Sequence, residues 1–291
     1  MKRLWRLHIR PREGDGDTDR SIDFCIKNNI IGMGWSVPDL GVTHYFDFPL
    51  YKAAAEKFYD GTSPWSSVRV FGEEAAVGDL VWFRNTKGYY YLAEITGPWN
   101  YYYSGIHIST DIVNYRTARI LKVGLVDAVP GKVISCFRPP RTFQAIDSQQ
   151  MLEYSSAMMG LKPAEPGTRD IFEYLSDEDL ENLISIYLQV CGWYVMPGTR
   201  RKDTPHYEFV LVDRNTGKRG IVQVKSGHEG IDAAKYAGET TTFLFASCED
   251  YGDVVPHNVT IIPRSKVLSF IRSQRQLLPE SFGHWVNLVG L

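Results

Sequence analysis

Two apolar runs facing each other across a polar turn constrain this chain more than any other stretch. Residues 207–212 and 220–225 flank Asp213-Arg214-Asn215-Thr216-Gly217-Lys218. Short β-branched and aromatic runs around such a turn form a β-hairpin. The second strand ends Ile221-Val222-Gln223-Val224-Lys225 and is apolar around its glutamine, which makes it a central strand and not an edge. A polar residue and a lysine in such a strand need partners. Residues two apart share a face, so Gln223 and Lys225 emerge together, and closing the hairpin brings Glu208 opposite one of them. A carboxylate, an amide oxygen and an ammonium then converge, and Glu181 supplies a second carboxylate from the preceding helix. Oxygen ligands of this kind suit Mg²⁺ or Mn²⁺, which keeps several waters and bridges to phosphate. The lysine would orient or deprotonate an attacking water and stabilise charge on the phosphorane. The plainer reading is a cross-strand ion pair between Lys225 and Glu208.

The elements around the hairpin alternate. Ser176-Asp177-Glu178-Asp179 opens a helix with acids in its first turn and an apolar face at Leu180, Leu183, Ile184, Tyr187 and Leu188. Gly192 ends that helix, and Trp193-Tyr194-Val195 begins a strand. A helix at 230–237, strands at 242–246 and 258–262 and a last helix at 265–277 complete an α/β pattern with a central mixed sheet. The first half has another rhythm. Helices are expected at 21–28 and at 48–59, the second stopped by Asp60-Gly61. Short strands follow at 79–84, 89–95, 115–123 and 132–138, which reads as a small β-barrel with flanking helices. Polar residues 147–150 and the turn Lys162-Pro163-Ala164-Glu165-Pro166-Gly167 separate the halves. The expected division is therefore 1–145, a linker at 146–168, and 169–291, an α+β protein in two domains.

Composition removes several classes. With 44% hydrophobic residues in 291, the chain is not disordered. No window approaches the roughly 20 apolar residues of a membrane span. Met1-Lys2-Arg3-Leu4-Trp5-Arg6 has no apolar region behind it and is not a secretory signal. Cys25, Cys136, Cys191 and Cys248 lie far apart and read as thiols of a reducing cytoplasm. The net charge of −2 excludes a wholly basic nucleic-acid coat. It averages 18 Lys and Arg against 16 Asp and Glu in residues 1–150, and 14 against 18 in the remainder.

Glu181, then Gly192-Trp193-Tyr194-Val195, then Glu208, then Gln223-Val224-Lys225 resembles the PD-(D/E)xK nuclease superfamily, in particular its Mrr-type restriction branch. The likeness covers roughly residues 170–275. It implies a restriction-endonuclease-like domain in which Glu208 is the first acid, Gln223 stands at the second acid's place, and Lys225 is the catalytic lysine. Gln at that place is usual for this branch; His206-Tyr207 before the acid, in place of Pro, is a departure. Superfamily members cut duplexes by pairing two active sites, so a homodimer is implied.

The first half is rich in rings: Trp35 after Gly32-Met33-Gly34, Trp82, Tyr89-Tyr90-Tyr91, and Trp99-Asn100-Tyr101-Tyr102-Tyr103. Alternation along a strand should expose at least one ring of each triplet. Beside Arg84, Lys87, Arg116 and Arg119, such rings could stack an unpaired base. The segment from Ile30 to Trp35, with Gly78-Asp79-Leu80-Val81-Trp82-Phe83-Arg84 and Gly88 to Gly97, resembles PUA/EVE-like barrels, which include readers of modified bases. The base-contacting candidates are Trp35, Trp82, Tyr89, Tyr91, Trp99, Tyr102, Arg84 and Lys87. Together the two halves point to a Mg²⁺-dependent DNA endonuclease of restriction or phage-defence type, reading a modified base. The alternatives are a non-catalytic nucleic-acid or nucleotide sensor with a degenerate nuclease domain, and a nuclease directed at RNA.

Overall fold

The computed structural model describes residues 2–38, 44–45, 47–59, 66–161, 170–199 and 206–291. It is a mixed α+β protein with two separate sheets. The chain divides into two compact units, residues 1–129 with 133–163, and residues 130–132 with 164–291.

The first unit runs β1 (Leu4–Leu7), α1 (Thr18–Lys27), β2 (Ile30–Met33), β3 (His44–Tyr45), α2 (Phe48–Phe58) and α3 (Ser66–Glu73). It continues with β4 (Leu80–Arg84), β5 (Tyr90–Tyr102), α4 (Gly105–Ser109), β6 (Asn114–Gly124), α5 (Gly131–Cys136), β7 (Phe143–Ala145) and α6 (Gln149–Met158). The strands form one sheet in the order β2-β6-β5-β4-β1-β7, with β3 added to β5. Among the described residues the sheet stays open, so the expected barrel does not close. Strand β1 runs parallel to β4 and antiparallel to β7, the last strand of the path.

Alternation along β1 sets the two faces of the sheet. Trp5, Leu7 and Ile9 enter a core with Phe71, Val81, Phe83, Ala93 and Phe143. Arg6 and His8 point the other way and are buried too. On that second face Trp82 donates from Nε1 to Ser155 Oγ on α6 at 3.0 Å. Tyr89, Tyr102 and Tyr103 are half-buried and Tyr90, Tyr91 and Tyr101 are buried, so no ring of either triplet is fully exposed.

Other expectations are also corrected. Where a strand was expected at 132–138, residues 131–136 form α5: Val133 and Phe137, four apart, are both buried, which is a helical spacing. The expected linker contains α6, whose Met151, Tyr154 and Ser155 are buried and whose N-cap is Ser148. The turns placed at 60–61 and 162–167 lie outside the described residues.

The second unit runs α7 (Asp177–Val190), β8 (Trp193–Val195), β9 (Phe209–Asp213), β10 (Arg219–Lys225), β11 (Thr241–Ala246), β12 (Val259–Ile261), α8 (Arg264–Ser273) and α9 (Glu280–Val289). Its sheet has the order β12-β11-β10-β9-β8. Strands β8, β9 and β10 pair antiparallel, whereas β10, β11 and β12 pair parallel. Ser176 caps α7 with a reciprocal bond to Asp179. Gly192 follows the helix at φ +96°, a left-handed conformation that suits glycine. The hairpin turn is held by Asp213, whose Oδ1 accepts from the amides of Asn215 at 2.9 Å and Thr216 at 2.8 Å. The helix expected at 230–237 shrinks to one 3₁₀ turn at Ala233–Tyr236. The last expected helix stops at Ser273, and α9 follows it with Phe282, Trp285, Val286 and Val289 buried at helical spacing. No helix among the described residues is long and apolar enough to cross a membrane.

Two predictions concern stability. Ser155→Ala leaves the buried Trp82 N–H without its acceptor and should cost about 1–3 kcal/mol, read from the urea midpoint. A true linker would tolerate that change. His8 is held down to about 4, first by burial and then by Arg6, Arg10 and Arg84, despite a bond to the Pro139 backbone. The unfolded chain therefore binds more protons between its ordinary 6.5 and about 4. Stability is full above pH 6.5 and falls through that window, and His8→Gln should flatten the fall in urea titrations at several pH values.

Candidate functional site

The antiparallel register pairs Val222 with Phe209 and carries one step further, where the Glu208 amide donates to the Val222 carbonyl at 2.8 Å. Glu208 therefore faces Gln223, one of the two alternatives open from the sequence. The Gln223 Nε2 donates to Glu208 Oε1 at 2.7 Å. Gln223 is buried, and its Oε1 has no hydrogen-bond partner. Leaving a buried amide oxygen unpaired costs about 1–3 kcal/mol, so a fold that keeps one needs a reason.

Lys225 emerges two residues on, at the end of β10. Its Nζ lies 3.2 Å from Glu229 Oε2, so the cross-strand pair with Glu208 is not what the lysine makes. Asp177, Glu181, Glu208, Val224, Lys225, Ser226 and Glu229 line a cleft of about 340 Å³. Glu181 thus lines the same cleft as Glu208 and Lys225, whereas Gln223 does not line it. Asp177 and Glu181, four apart on α7, present their carboxylates to one cleft. Ser226 Oγ donates to Asp177 Oδ1, which ties the end of β10 to the first turn of α7. His228 is exposed and does not line the cleft.

Four carboxylates against one ammonium leave the cleft strongly negative. Among the described residues no three His, Cys, Asp or Glu side chains converge closely enough to hold a metal by themselves. That is compatible with Mg²⁺ or Mn²⁺, which takes one or two carboxylates and completes its shell with water and phosphate. Glu208 and Glu181 fit such an ion in donor type; the unpartnered amide oxygen of Gln223 does so too, but it is buried and Gln223 does not line the cleft.

Asp177 and Glu229 were not singled out as site residues from the sequence, although the four-residue spacings Asp177 to Glu181 and Lys225 to Glu229 are visible there. Tyr236 was also missed. Burial raises its hydroxyl above the usual range, followed by the Glu208 charge, which places it near that carboxylate. The His206 ring stacks on Tyr236 with centroids 4.4 Å apart.

The first unit has a pocket of about 230 Å³ walled by Ile9, Met33, Trp35, Tyr59 and Ile112, with Arg10, Arg12, Glu13 and Asp111 as its charged lining. Trp35 sits at φ +71°, a left-handed conformation that is strained for a tryptophan. Hydrogen bonds hold it there. Tyr51 Oη donates to its carbonyl at 2.6 Å, and Asn114 Nδ2 donates to the Gly34 carbonyl at 2.5 Å. A side chain at Gly34 would run into the Asp111 carboxylate. The Asp111 carboxylate accepts from the Arg12 amide at 2.8 Å, yet burial holds its pKa above the ordinary range.

Of the eight base-contacting candidates only Trp35 lines this pocket. Trp82 is sealed against α6, and Trp99 is buried with its N–H on Asn114 Oδ1 at 3.2 Å. Tyr91 stacks on Phe83 with centroids 5.1 Å apart, and Tyr102 meets His107 edge to face. Tyr89 lies under the Lys122 ammonium, which is 4.0 Å from its centroid. Arg84 and Lys87 are exposed, the latter near Asp19. Arg116 is buried, donating to the carbonyls of Phe71 and Gly72 at 3.2 and 3.1 Å, while Arg119 is paired with Glu94 at 2.9 Å. Trp82, Tyr91 and Trp99 therefore serve packing, and Tyr89 and Tyr102 are half-buried against Lys122 and His107.

No family model, curated protein or solved structure matches the chain.

Because Trp35 is strained, glycine should suit its backbone better than alanine. Trp35→Gly is expected to be more stable than Trp35→Ala by about 1 kcal/mol in urea unfolding, although both lose the same ring.

Proposed function

We propose that the protein is a metal-dependent DNA endonuclease of restriction or phage-defence type, whose first unit reads a modified base. One observation carries this reading: Glu208 faces Gln223 across the hairpin while Lys225 and Glu181 line the same cleft. The resemblance of these residues to the PD-(D/E)xK pattern supports it. Mg²⁺ or Mn²⁺ held by Glu208, Gln223 and Glu181 would act as a Lewis acid on a phosphodiester oxygen.

The chain's own groups then have distinct tasks. The lysine ammonium exchanges Glu229 for the negative phosphate and orients the attacking water. Water forms a new O–P bond, one P–O ester bond breaks, and the departing oxygen ends protonated. The carboxylates of Asp177 and Glu229 repel phosphate placed away from the cation and so favour one pose. In the first unit, Trp35 and Tyr59 offer faces to a planar base, and Asp111 and Glu13 offer acceptors to its N–H groups. Cleavage of both strands would call for two copies, hence a homodimer.

Supercoiled and linear DNA, unmodified or carrying 5-methylcytosine, hydroxymethylcytosine or glucosylated bases, should be cut with Mg²⁺ or Mn²⁺ by the parent protein. Lys225→Ala and Glu208→Ala should each lower the rate by about 10²-fold or more while DNA binding persists. Cleavage undiminished in both variants would remove the site assignment. Full DNA binding in a parent that neither cuts nor takes up metal by calorimetry would favour the sensor alternative.

A further inference from the structure

The second face of the first sheet carries a group of cations that the nuclease reading does not use. Along β1 the pattern Arg6-Leu7-His8-Ile9-Arg10 sends Arg6 and His8 to this face, and Arg10 continues the series. The β1 register opposes Arg6 to Trp82 and Gln144, so Arg84, two residues beyond Trp82, follows on the same face. The ring of Phe137 gathers them. Arg84 lies 5.1 Å from its centroid and Arg6 5.9 Å, while His8 meets it edge to face at 5.2 Å.

The charges are uncompensated. Arg6 is fully buried, yet its guanidinium donates to neutral groups, the Arg141 carbonyl and, at 2.8 Å, the Gln144 amide oxygen. Its Nε has no partner, and neither has the buried Nε2 of His8. The groups that act on Arg6 electrostatically are the Cys136 thiol and three further cations, Arg10, Arg141 and Arg84. None of these four arginines is paired with a carboxylate among the described residues. A buried charge without a counter-charge is costly, and four like charges together add to the cost. Only Arg6 among the four is buried, and an anion held by its exposed neighbours would supply the missing counter-charge.

Arg10 also lines the Trp35 pocket. Inside that pocket the charged acceptors Glu13 and Asp111 repel phosphate and accept from N–H groups. Outside it the exposed Arg10, Arg84 and Arg141 attract phosphate. This polarity separates a base from its backbone. We propose that Arg10, Arg84 and Arg141, backed by Arg6, form an oxyanion track that holds the phosphates of a strand whose base enters the Trp35 pocket. The proposal rests on the nucleic-acid reading above for the source of the phosphates, but the track itself is an oxyanion site whatever their source.

Fluorescence anisotropy in EDTA, where nothing is cut, tests it with a labelled abasic single strand and with tripolyphosphate as competitor. The double variant Arg84→Gln/Arg141→Gln and the single variant Arg10→Gln replace exposed side chains, and their thermal melts should match the parent. The parent should bind the abasic strand, and the double variant should bind it at least 10-fold more weakly. The slope of log affinity against log salt should flatten by about 0.7 per lost contact. Undiminished binding and an unchanged slope in both folded variants would overturn the track. A parent that binds tripolyphosphate but no strand would keep the site and overturn the nucleic-acid reading. A parent that binds neither would overturn the proposal.

Discussion

The chemistry of the second unit depends on the register between β9 and β10. A slip of one residue would turn Gln223 and Lys225 to the opposite face and Glu208 away from the amide. The register is secured from three sides. The Asp213 turn fixes the hairpin, the parallel pairing of β10 with β11 continues through Lys225 opposite Ala246, and alternate residues Val222 and Val224 are buried. Because β10 is interior, its polar residues cannot escape to water by fraying, and Gln223 is held against Glu208 even though its oxygen goes unpaired.

The two units distribute charge in opposite ways. In the second, carboxylates crowd around one lysine and ask for a cation. In the first, arginines crowd around Phe137 and ask for an anion, while the adjoining Trp35 pocket keeps its acids inside. A near-zero total hides both concentrations, which is why the formal charge of −2 says little about partners. In each case the informative quantity is a local imbalance that the fold maintains against its own electrostatic cost.

Much of the second unit was legible because its signals are local. Ser176 and Asp179 announce the start of α7, Gly192 its end, and Asp213 to Lys218 the hairpin turn; each acts through bonds to near neighbours in sequence. The convergence of Glu181 with Glu208 was legible only as order along the chain. Where reading failed, the same residues satisfied two periods. Lys132 to Phe137 alternates tolerably as a strand, but burial of Val133 with Phe137 selects a helix. Ser148 looked like linker because its polar neighbours mark a boundary, whereas it caps α6. The rings of the first unit misled for another reason. Exposure was inferred from one strand's alternation, but burial depends on what packs there, and Phe137, whose ring meets Tyr90, lies outside the window that contains the tyrosines.

The edges of the second sheet have a consequence for assembly. Strands β8 and β12 have three residues each, so either edge offers few unpaired amides and carbonyls to another chain. Continuing the sheet from one copy into the next would gain little backbone bonding. Two copies of this fold that met on a duplex would have to recognise each other through side chains on helices and loops, which makes their spacing adjustable by surface substitution without disturbing the strands that carry the cleft.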